Sequence, residues 1–380
     1  MGLLLSIAIA TKNREKYCVE SIKSILSYGY SNLEITIADN SDTEVVKNFV
    51  ENLNSPQVKY RYDSGPVSSI ENFNRAVEMA TGEYMMLIGD DDSILPKCME
   101  TAKWAKENEV DSICSKETVH YYWPGSIAGA EGGLLSFGNG NSSIKKIDIP
   151  AELSKLMKNG IQHYLTFPLP KTYHGLVKMK VMREIKQKTG HFYGGLSPDI
   201  YSCIAVSCVA KNHYIIDEPL SVAGVCAKST TADNIKGMHS GEIEGIPHLK
   251  YRGHYEWNER VPKFYSVNTI WAESGIKALE ELNQTKLLEE FNVYKLIAQS
   301  QINNGALIGN IMKRERELIR LKNGERKWIF DTKVFVETLD SYRKKAETVL
   351  SAKINKRMSY SFTDIPNIAS AISKYTSVNK

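Results

Sequence analysis

The sequence predicts an α/β fold, with a mostly parallel sheet flanked by helices and a helical extension at the C-terminal end. Over residues 1–120, short apolar runs of strand length alternate with segments whose apolar residues recur at helical spacing. This alternation is typical of βαβ units, which place parallel strands side by side in one sheet. From about residue 240 the apolar residues follow helical spacing instead. We therefore predict an α/β domain over residues 1–235 and a helical region over residues 236–380.

Each strand of the α/β domain is predicted from an apolar run that ends in polar residues. The runs cover residues 4–10, 33–38, 58–62 and 83–88. The helix after the first run carries Cys18, Ile22 and Ile25 on one face, as packing on a sheet requires. Ligands of such folds gather at the carboxyl ends of the parallel strands, so the polar residues that follow the runs are the first candidates for a site.

Beyond residue 120 the pattern predicts a long loop and one well-defined helix. Residues 125–141 are rich in Gly and Ser, which is typical of a loop. Ser197 suits the N-cap of a helix and Pro198 its first position, and the apolar face of that helix begins at Ile200. Asp199 is thereby predicted to lie in the first helical turn.

Composition restricts the class of protein. The 380 residues are 42% hydrophobic and 24% charged, as in an ordinary soluble globular protein. No apolar run reaches the roughly 18 residues that a membrane span needs, and no cationic segment precedes the apolar start as it would in a signal peptide. The six cysteines form no CxxC pair, so we expect reduced thiols in a cytoplasmic protein. Walker loops and nucleic-acid motifs are absent from the sequence, so we expect no nucleic-acid partner.

Positive charge is concentrated near the C-terminal end. Residues 311–357 carry 14 Lys and Arg against 7 Asp and Glu, a local charge of +7 in a chain of net charge +4, so the rest carries −3. Such a segment is either a solvated helical face or a surface that meets an anionic partner. In the second case Trp328, Phe330 and Phe335 would embed at a membrane interface, although aromatic residues more often pack in a core.

Three adjacent carboxylates, Asp90, Asp91 and Asp92, follow the fourth apolar run directly. At the end of a buried strand they repel one another, and a cation is needed to neutralise them. Hard oxygen ligands suit Mg²⁺ or Mn²⁺, which usually serve substrate phosphates in such sites. The alternative is a loop that caps the next helix, for which a single Asp is enough. The run predicts metal-assisted chemistry on a nucleoside diphosphate.

Three blocks together resemble a known family. Residues 6–14, 37–42 and 82–92 read SIAIATKNR, IADNSD and GEYMMLIGDDD. Their order and separations are similar to the signature blocks of family 2 glycosyltransferases with the GT-A fold, a Rossmann-like architecture. The resemblance covers roughly residues 1–225. It implies a nucleotide-sugar donor, Mn²⁺ or Mg²⁺ at an Asp-x-Asp (DXD) motif, and a carboxylate base that gives inversion. One departure is Gly89, where members commonly have Asp.

The resemblance also implies roles for the acidic residues. Asp90 would face the donor ribose, Asp91 would bind the metal, and Asp92 would orient them or contact the sugar. Asp39, at the end of the second strand, would recognise the nucleotide base, with an Asx-turn as its alternative role. Thr11 and Arg14 are weaker candidates for the same pocket, and Arg14 is as readily a surface residue.

Three further residues complete the predicted site. An inverting transferase needs a carboxylate that takes the proton of the acceptor hydroxyl, and the resemblance places Asp199 there. An Asp in a first helical turn is also an everyday helix stabiliser. By resemblance, Lys228 would approach the diphosphate and His239 the metal, from a loop that closes over the donor. For both, a surface loop without ligand contact is the alternative.

The sequence therefore predicts a metal-dependent inverting glycosyltransferase of surface polysaccharide (O-antigen or capsule) biosynthesis. Its donor would be a nucleoside-diphosphate sugar, by default a UDP sugar, and its acceptor a hydroxyl of a glycan or lipid-linked glycan. A lipid-linked acceptor would place residues 311–357 at the inner face of the cell membrane. Two rivals remain: a non-catalytic nucleotide-sugar-binding scaffold, and a magnesium-dependent phosphohydrolase. The phosphohydrolase would need an Asp nucleophile where this chain has Ala10 and Thr11.

Overall fold

Strands and helices alternate along the first third of the chain, as the periodicity predicts. The structure, a computed structural model, describes residues 2, 4–138, 140, 143–227, 240–243, 246–354 and 359–379. The strands are β1 (Leu5–Thr11), β2 (Leu33–Asp39), β3 (Val58–Tyr62), β4 (Tyr84–Ile88), β5 (Ser93–Ile94), β6 (Ser112–Ser115), β7 (Val119–Tyr122), β8 (Leu134–Gly138), β9 (Ile144–Ile147), β10 (Gly175–Lys178), β11 (His213–Ile216), β12 (Ser221–Val225), β13 (Ser240–Gly241), β14 (Tyr265–Ser266) and β15 (Ser359–Thr363). The helices are α1 (Glu15–Leu26), α2 (Val45–Leu53), α3 (Ser69–Glu78), α4 (Pro96–Glu107), α5 (Ile149–Lys158), α6 (Met179–Thr189), α7 (Pro198–Val209), α8 (Val267–Glu281), α9 (Thr285–Glu289), α10 (Val293–Lys322), α11 (Lys327–Ile354) and α12 (Ile368–Val378).

The larger sheet positions the candidate residues. Its strand order over the described residues is β3-β2-β1-β4-β10-β6-β11-β9. Strands β1 to β4 pair with one another in parallel, whereas β10 pairs antiparallel with β4. The β1 strand is buried on both faces, with Ile7 and Ile9 in one core cluster and Ala8 in the other, which explains its continuous apolar run. Thr11 and Asp39 are in register at the carboxyl ends of β1 and β2. The acidic run follows β4 at the same edge.

A second sheet lies where the sequence predicts a long loop. Its order is β15-β8-β7-β12-β5, and β8 occupies part of residues 125–141. The prediction of a loop is wrong for this part, because Leu135 and Phe137 alternate with half-buried residues and are themselves buried against the rest of the sheet. The Phe137 ring packs on Tyr360 of β15 and on Tyr375 of α12. The sequence pattern of β8 does not reveal this packing, because β15 and α12 lie more than 200 residues further along the chain.

The C-terminal part is mostly helical, and its end returns to the second sheet. Helices α10 and α11 form an antiparallel hairpin in which the buried Lys295 Nζ lies 2.6 Å from Asp340 Oδ2. Phe330 is buried between them, so its predicted place at a membrane interface is wrong, whereas Trp328 and Phe335 are exposed. Because β15 and α12 pack on the N-terminal region, the division at residue 235 does not describe the last twenty residues; elsewhere it stays a prediction. No helix among the described residues has the length and apolar character to cross a membrane.

Candidate active site

The acidic run is buried at the carboxyl edge of the larger sheet. Asp90, Asp91 and Asp92, hereafter the triad, are each 3% exposed or less. Asp90 is held from the end of β1: Thr11 Oγ1 donates to Asp90 Oδ2 at 2.6 Å, and Arg14 Nη2 lies 2.7 Å from Asp90 Oδ1. Arg14 Nη1 also lies 3.5 Å from Asp91 Oδ1. The structure thus brings five predicted site residues together, with Arg14 as the cation beside the triad.

Backbone amides of the second sheet bind the other two carboxylates. Gly224 N donates to Asp92 Oδ1 at 2.7 Å, and Cys226 N donates to Asp91 Oδ2 at 3.0 Å. A Cβ atom at Gly224 would lie 1.8 Å from the carbonyl oxygen of Asp91, so only glycine allows β12 to approach this closely. Sequence analysis missed these donors, although a glycine inside a strand is the usual signal of a close backbone approach.

Burial dominates the electrostatics of the triad. It raises the pKa of Asp90 and of Asp92, and the charge of Asp91 between them raises both further, while Arg14 opposes the shift at Asp90. Burial alone would lower the pKa of Arg14, but Asp90 and Asp91 outweigh it and keep the guanidinium charged. With all three carboxylates ionised, Arg14 leaves a charge of −2, which one divalent cation would balance.

Tyr173 and His174 cover the far side of Asp92. The Tyr173 hydroxyl donates to Asp92 Oδ2 at 3.0 Å, and His174 Nε2 lies 3.4 Å from the same oxygen. Burial lowers the pKa of His174 to about 3, so the ring is neutral and this contact is not an ion pair. Tyr173 lies outside regular structure, where no periodicity singles it out, and sequence analysis gave it no role.

Gly89 is required by the position of Tyr173. A Cβ atom at Gly89 would lie 2.6 Å from the Tyr173 hydroxyl, 2.9 Å from Asp92 Oδ2 and 3.0 Å from Asp91 Oδ1. An aspartate, which the resemblance implies at this position, would therefore collide with the tyrosine. The departure from the family pattern and the placement of Tyr173 are thus linked by steric fit.

We expect Gly89→Ala to lower the free energy of unfolding by about 1–3 kcal/mol, the usual cost of overpacking. In a Tyr173→Phe background the nearest oxygen is gone, so the loss should be smaller. Urea unfolding of both single variants and the double variant measures the difference. Gly309→Ala, on α10 with no atom within 4 Å of the added carbon, is the control and should cause no loss. Equal losses in both backgrounds would contradict the steric explanation.

Asp39 makes the contacts of an Asx-turn, the alternative role that the sequence predicts for it. Ser41 N donates to Asp39 Oδ1 at 2.8 Å, which closes an Asx-turn, and the Tyr60 hydroxyl donates to Asp39 Oδ2 at 2.7 Å. The carboxylate is buried in register with Thr11. Each oxygen retains acceptor capacity, because a carboxylate oxygen has more than one lone-pair site. Recognition of a nucleotide base by Asp39 stays a prediction.

Asp199 lies at the start of α7. It lies in the first turn of α7 after Pro198, and Ser197 holds the N-cap position without a side-chain cap bond. The residue is half-buried, burial raises the pKa of its carboxylate to about 6, and within the described residues nothing donates a hydrogen bond to that carboxylate. The pKa of Tyr173 is raised by burial, then by Asp92, Asp91 and Asp199. The residue before it, Thr172, hydrogen-bonds Ser202 Oγ at 2.8 Å, and Ser202 Oγ donates to the Asp199 carbonyl at 3.1 Å. The segment that contacts the triad through Tyr173 therefore also lies against the start of α7.

The described residues leave the metal ligands incomplete. Over this part of the chain, no three His, Cys, Asp or Glu side chains converge into a cluster that would hold an ion. Lys228 and His239 lie outside the described residues. Asp91 still suits the ion, because Mg²⁺ usually binds one or two carboxylates and takes its other ligands from water and substrate phosphates.

Comparison with known proteins identifies the N-terminal region. The family model of glycosyl transferase family 2 matches residues 6–131, which contain Thr11, Arg14, Asp39 and the triad. This segment belongs to glycosyl transferase family 2. The recognition made from the three sequence blocks is confirmed, because all three lie inside the matched family 2 segment.

Several bacterial glycosyltransferases are similar to this chain over part of their length. The putative colanic acid biosynthesis glycosyl transferase WcaA of Escherichia coli (strain K12) is 31% identical over 134 residues, which are 33% of this chain and 47% of that protein. The abequosyltransferase RfbV of Salmonella typhimurium is 30% identical over 122 residues, 30% of this chain and 36% of that protein. The chain thus spans less than half the length of the curated relatives it matches.

Among solved structures, S. aureus TarS 1–349 in complex with UDP-GlcNAc is similar over almost the whole chain. The similarity covers 91% of this chain and 92% of that one, at 15% sequence identity and a TM-score of 0.50. At this identity the likeness concerns the fold alone. It confirms the predicted α/β, GT-A architecture with a C-terminal helical extension.

Proposed function

We propose that this protein transfers a sugar from a nucleoside-diphosphate sugar to an acceptor hydroxyl, with inversion at the anomeric carbon. One observation carries the proposal: the segment of Thr172 and Tyr173 contacts both the triad and the start of α7. Tyr173 donates to Asp92, and Thr172 hydrogen-bonds Ser202, whose hydroxyl donates to the Asp199 carbonyl. The Asp199 carboxylate receives no hydrogen bond from the described residues. A donor site and a free base would then lie side by side. The family 2 segment supports the reaction class.

Asp199 would act as the general base. Its pKa of about 6 makes it a stronger base than an ordinary carboxylate, and it is still mostly ionised at neutral pH. It would take the proton of the acceptor hydroxyl as that oxygen attacks the anomeric carbon and the bond to the diphosphate breaks. Inversion follows from this single displacement, which needs no covalent intermediate.

The triad and the β1 end would bind the donor. Asp91 would hold Mn²⁺ or Mg²⁺, an ion that neutralises charge on the leaving diphosphate when bound. Asp90, fixed by Thr11 and Arg14, would accept from the ribose, and Asp39 from the base, with uracil as the default. His239 as a further metal ligand and Lys228 beside the diphosphate stay predictions, as they lie outside the described residues.

The acceptor is proposed to be a growing glycan, free or lipid-linked, in surface polysaccharide biosynthesis. The names of the relatives support this class. One is named as a putative colanic acid biosynthesis glycosyl transferase, and a Campylobacter jejuni relative, 31% identical over 103 residues, is named as a glucosyltransferase for an undecaprenol-linked acceptor. The match covers 26% of this chain and 32% of that relative. Cytoplasmic location and membrane contact through residues 311–357 stay predictions.

The two rival functions fit the site less well. A phosphohydrolase would need a carboxylate nucleophile at the end of β1, where Thr11 instead donates its hydroxyl proton to Asp90. A binding scaffold would have no use for the Asp199 carboxylate, which receives no hydrogen bond from the described part of the chain, since burying an unpaired charge reduces stability.

A nucleotide screen tests the donor proposal. We expect one of UDP, dTDP or GDP to raise the melting temperature in the presence of Mn²⁺, and to do so much less with EDTA. A ligand at 100 times its Kd stabilises the folded state by about 2.7 kcal/mol. The matching nucleotide sugars are then assayed for transfer and for hydrolysis. No shift with any nucleotide, or hydrolysis that an acceptor glycan does not suppress, would count against a glycosyltransferase.

A further inference from the structure

Helix α11 carries an apolar face that the structure leaves in solvent. Its inner face, with Phe330 and Val334, packs against α10. On the opposite face lies a row that we call the outer stripe: Trp328, Thr332, Phe335, Leu339, Tyr342 and Ala346, all of them exposed. Five large apolar side chains of this helix, four of them in the stripe, are 53–66% exposed: Trp328, Phe335, Val336, Leu339 and Tyr342. This is unusual for a surface helix, which normally has one apolar face.

The spacing of the outer stripe is that of a coiled coil. Successive members are separated by 4, 3, 4, 3 and 4 residues, which is the a and d pattern of a heptad repeat. The pattern extends from Trp328 to Ala346, a rise of about 27 Å along the helix. A stripe of this kind is complementary to another helix, because its side chains fit between those of a facing stripe.

We propose that the outer stripe is a homodimer interface, in which α11 packs antiparallel on α11 of a second copy. Antiparallel pairing joins each a position to a d position. The layers would then be Trp328 with Ala346, Tyr342 with Thr332, and Phe335 with Leu339, twice each. Nearly every layer combines a large side chain with a smaller one, so its volume is filled without collision. Parallel pairing would instead place Trp328 on Trp328 and Ala346 on Ala346.

The residues beside the stripe agree with the same arrangement. On one flank Val336 would meet Val336 of the second copy at the two-fold axis, which extends the apolar contact. On the other flank Asp331 would lie near Lys345 of the second copy, an attractive pair. Asp331 already accepts from Arg316 at 2.6 Å, so its carboxylate is held in place by its own chain.

The area is sufficient for a dimer. Side chains of this size bury 150–250 Å² when fully covered, so the five half-exposed ones offer about 600 Å² per copy, or about 1,200 Å² in a symmetric dimer. Specific interfaces begin near 1,000–1,200 Å². As an uncovered patch, the same surface would be at the upper limit for a monomer.

Charge favours a second copy over a lipid surface. Anionic lipid attracts free Lys and Arg, yet several basic residues near the stripe are already paired. Lys333 pairs with Glu325, and Arg343 and Lys344 both pair with Asp340. The positive charge of residues 311–357 is thus partly neutralised within the hairpin, and the stripe itself holds no charged residue.

The test is the mass of the full chain by sedimentation equilibrium at micromolar concentration. We expect a two-fold mass for the wild type and the single-chain mass for Leu339→Lys, which disrupts the Phe335–Leu339 layers. Leu318→Lys on α10 is the matched control, since Leu318 and Leu339 are both 53% exposed, and it should remain a dimer. A monomeric wild type, or equal dissociation of both variants, would overturn the proposal.

Cross-linking tests the orientation. With a short thiol-specific bifunctional reagent, Val336→Cys should give a covalent dimer, because the two positions meet at the axis. Thr332→Cys should give little covalent dimer, since position 332 would meet position 332 of the second copy only in a parallel pair. The reverse result would overturn antiparallel pairing. A monomeric wild type that binds vesicles of anionic lipid, and loses that binding in Leu339→Lys, would assign the stripe to a membrane instead.

Discussion

Replacing Asp199 with Asn is expected to lower the rate of sugar transfer by about 10²–10⁴-fold, the usual contribution of a general base. The amide keeps the size of the side chain but cannot accept the hydroxyl proton. Because no described residue donates to the carboxylate, no hydrogen bond within this part of the chain is lost. Donor affinity should be unchanged, since Asp199 is assigned to the acceptor side. Single-turnover transfer and UDP calorimetry measure the two quantities separately.

The control for this change is Asp148→Asn. Asp148 is also an acidic residue at a helix start, where its Oδ1 accepts from Ala151 N at 3.2 Å, so its replacement should affect stability alone.

The pH dependence of stability distinguishes Asp199 further. Its folded pKa, about 6, lies above the ordinary value of 3.8, so ionising it in place lowers stability. That penalty is absent below pH 4, grows as the pH rises and is complete above about pH 6. Asp199→Asn should therefore be at least as stable as the wild type at pH 7.5. Retained transfer in a stable Asp199→Asn protein would refute its role as the base.

The position of the site could be predicted from the sequence, because it depends on local patterns. The apolar runs of β1, β2 and β4 determine which residues stand at the strand ends, and parallel strands bring those ends to one edge. Thr11, Asp39 and the triad are therefore found together. The role of Arg14 could not be predicted. Its side chain contacts Asp90, and does not point into solvent, only because the loops after β1 and β4 approach each other, although the two residues are 76 apart in the chain.

The second sheet could not be predicted, for a different physical reason. β8 pairs with β15, and β12 pairs with β7 and supplies the amides of Gly224 and Cys226 to the triad. Strands of four or five residues carry little pattern, and their partners are far away in the chain. A backbone N–H carries no residue-type signal at all. Half of the hydrogen bonds that hold the triad are thus invisible to reasoning from side-chain identity.

The second large effect is expected for Asp91→Asn, which should remove the metal-dependent part of donor binding. Asp91 Oδ1 faces only Arg14 Nη1, at 3.5 Å, among the contacts described for that oxygen, whereas both oxygens of Asp92 accept backbone amides. Asp91 is thus the triad member with an oxygen to offer an ion. Losing a neighbour of a metal ligand costs 10–100-fold in affinity, so loss of the ligand itself should cost about 100-fold or more. Calorimetry of UDP binding with Mn²⁺ and with EDTA measures the difference, and a second nucleotide identified by the screen replaces UDP if needed.

The control and the stability readout separate this effect from misfolding. Asp63→Asn removes another aspartate that binds a backbone amide and an arginine, Gly65 N and Arg75, and should leave Mn²⁺ dependence intact. Asp91→Asn should not lower the melting temperature of the free protein, because it removes the central charge that raises the pKa of Asp90 and Asp92.

The metal must also compete with Arg14, which already neutralises one of the three charges. Mn²⁺ alone should therefore bind weakly, and the nucleotide diphosphate should supply the remaining affinity through its phosphates. An Asp91→Asn protein that keeps full Mn²⁺-dependent binding would place the ion elsewhere in the triad, whereas one that melts normally and binds the nucleotide equally with Mn²⁺ and with EDTA would support the assignment.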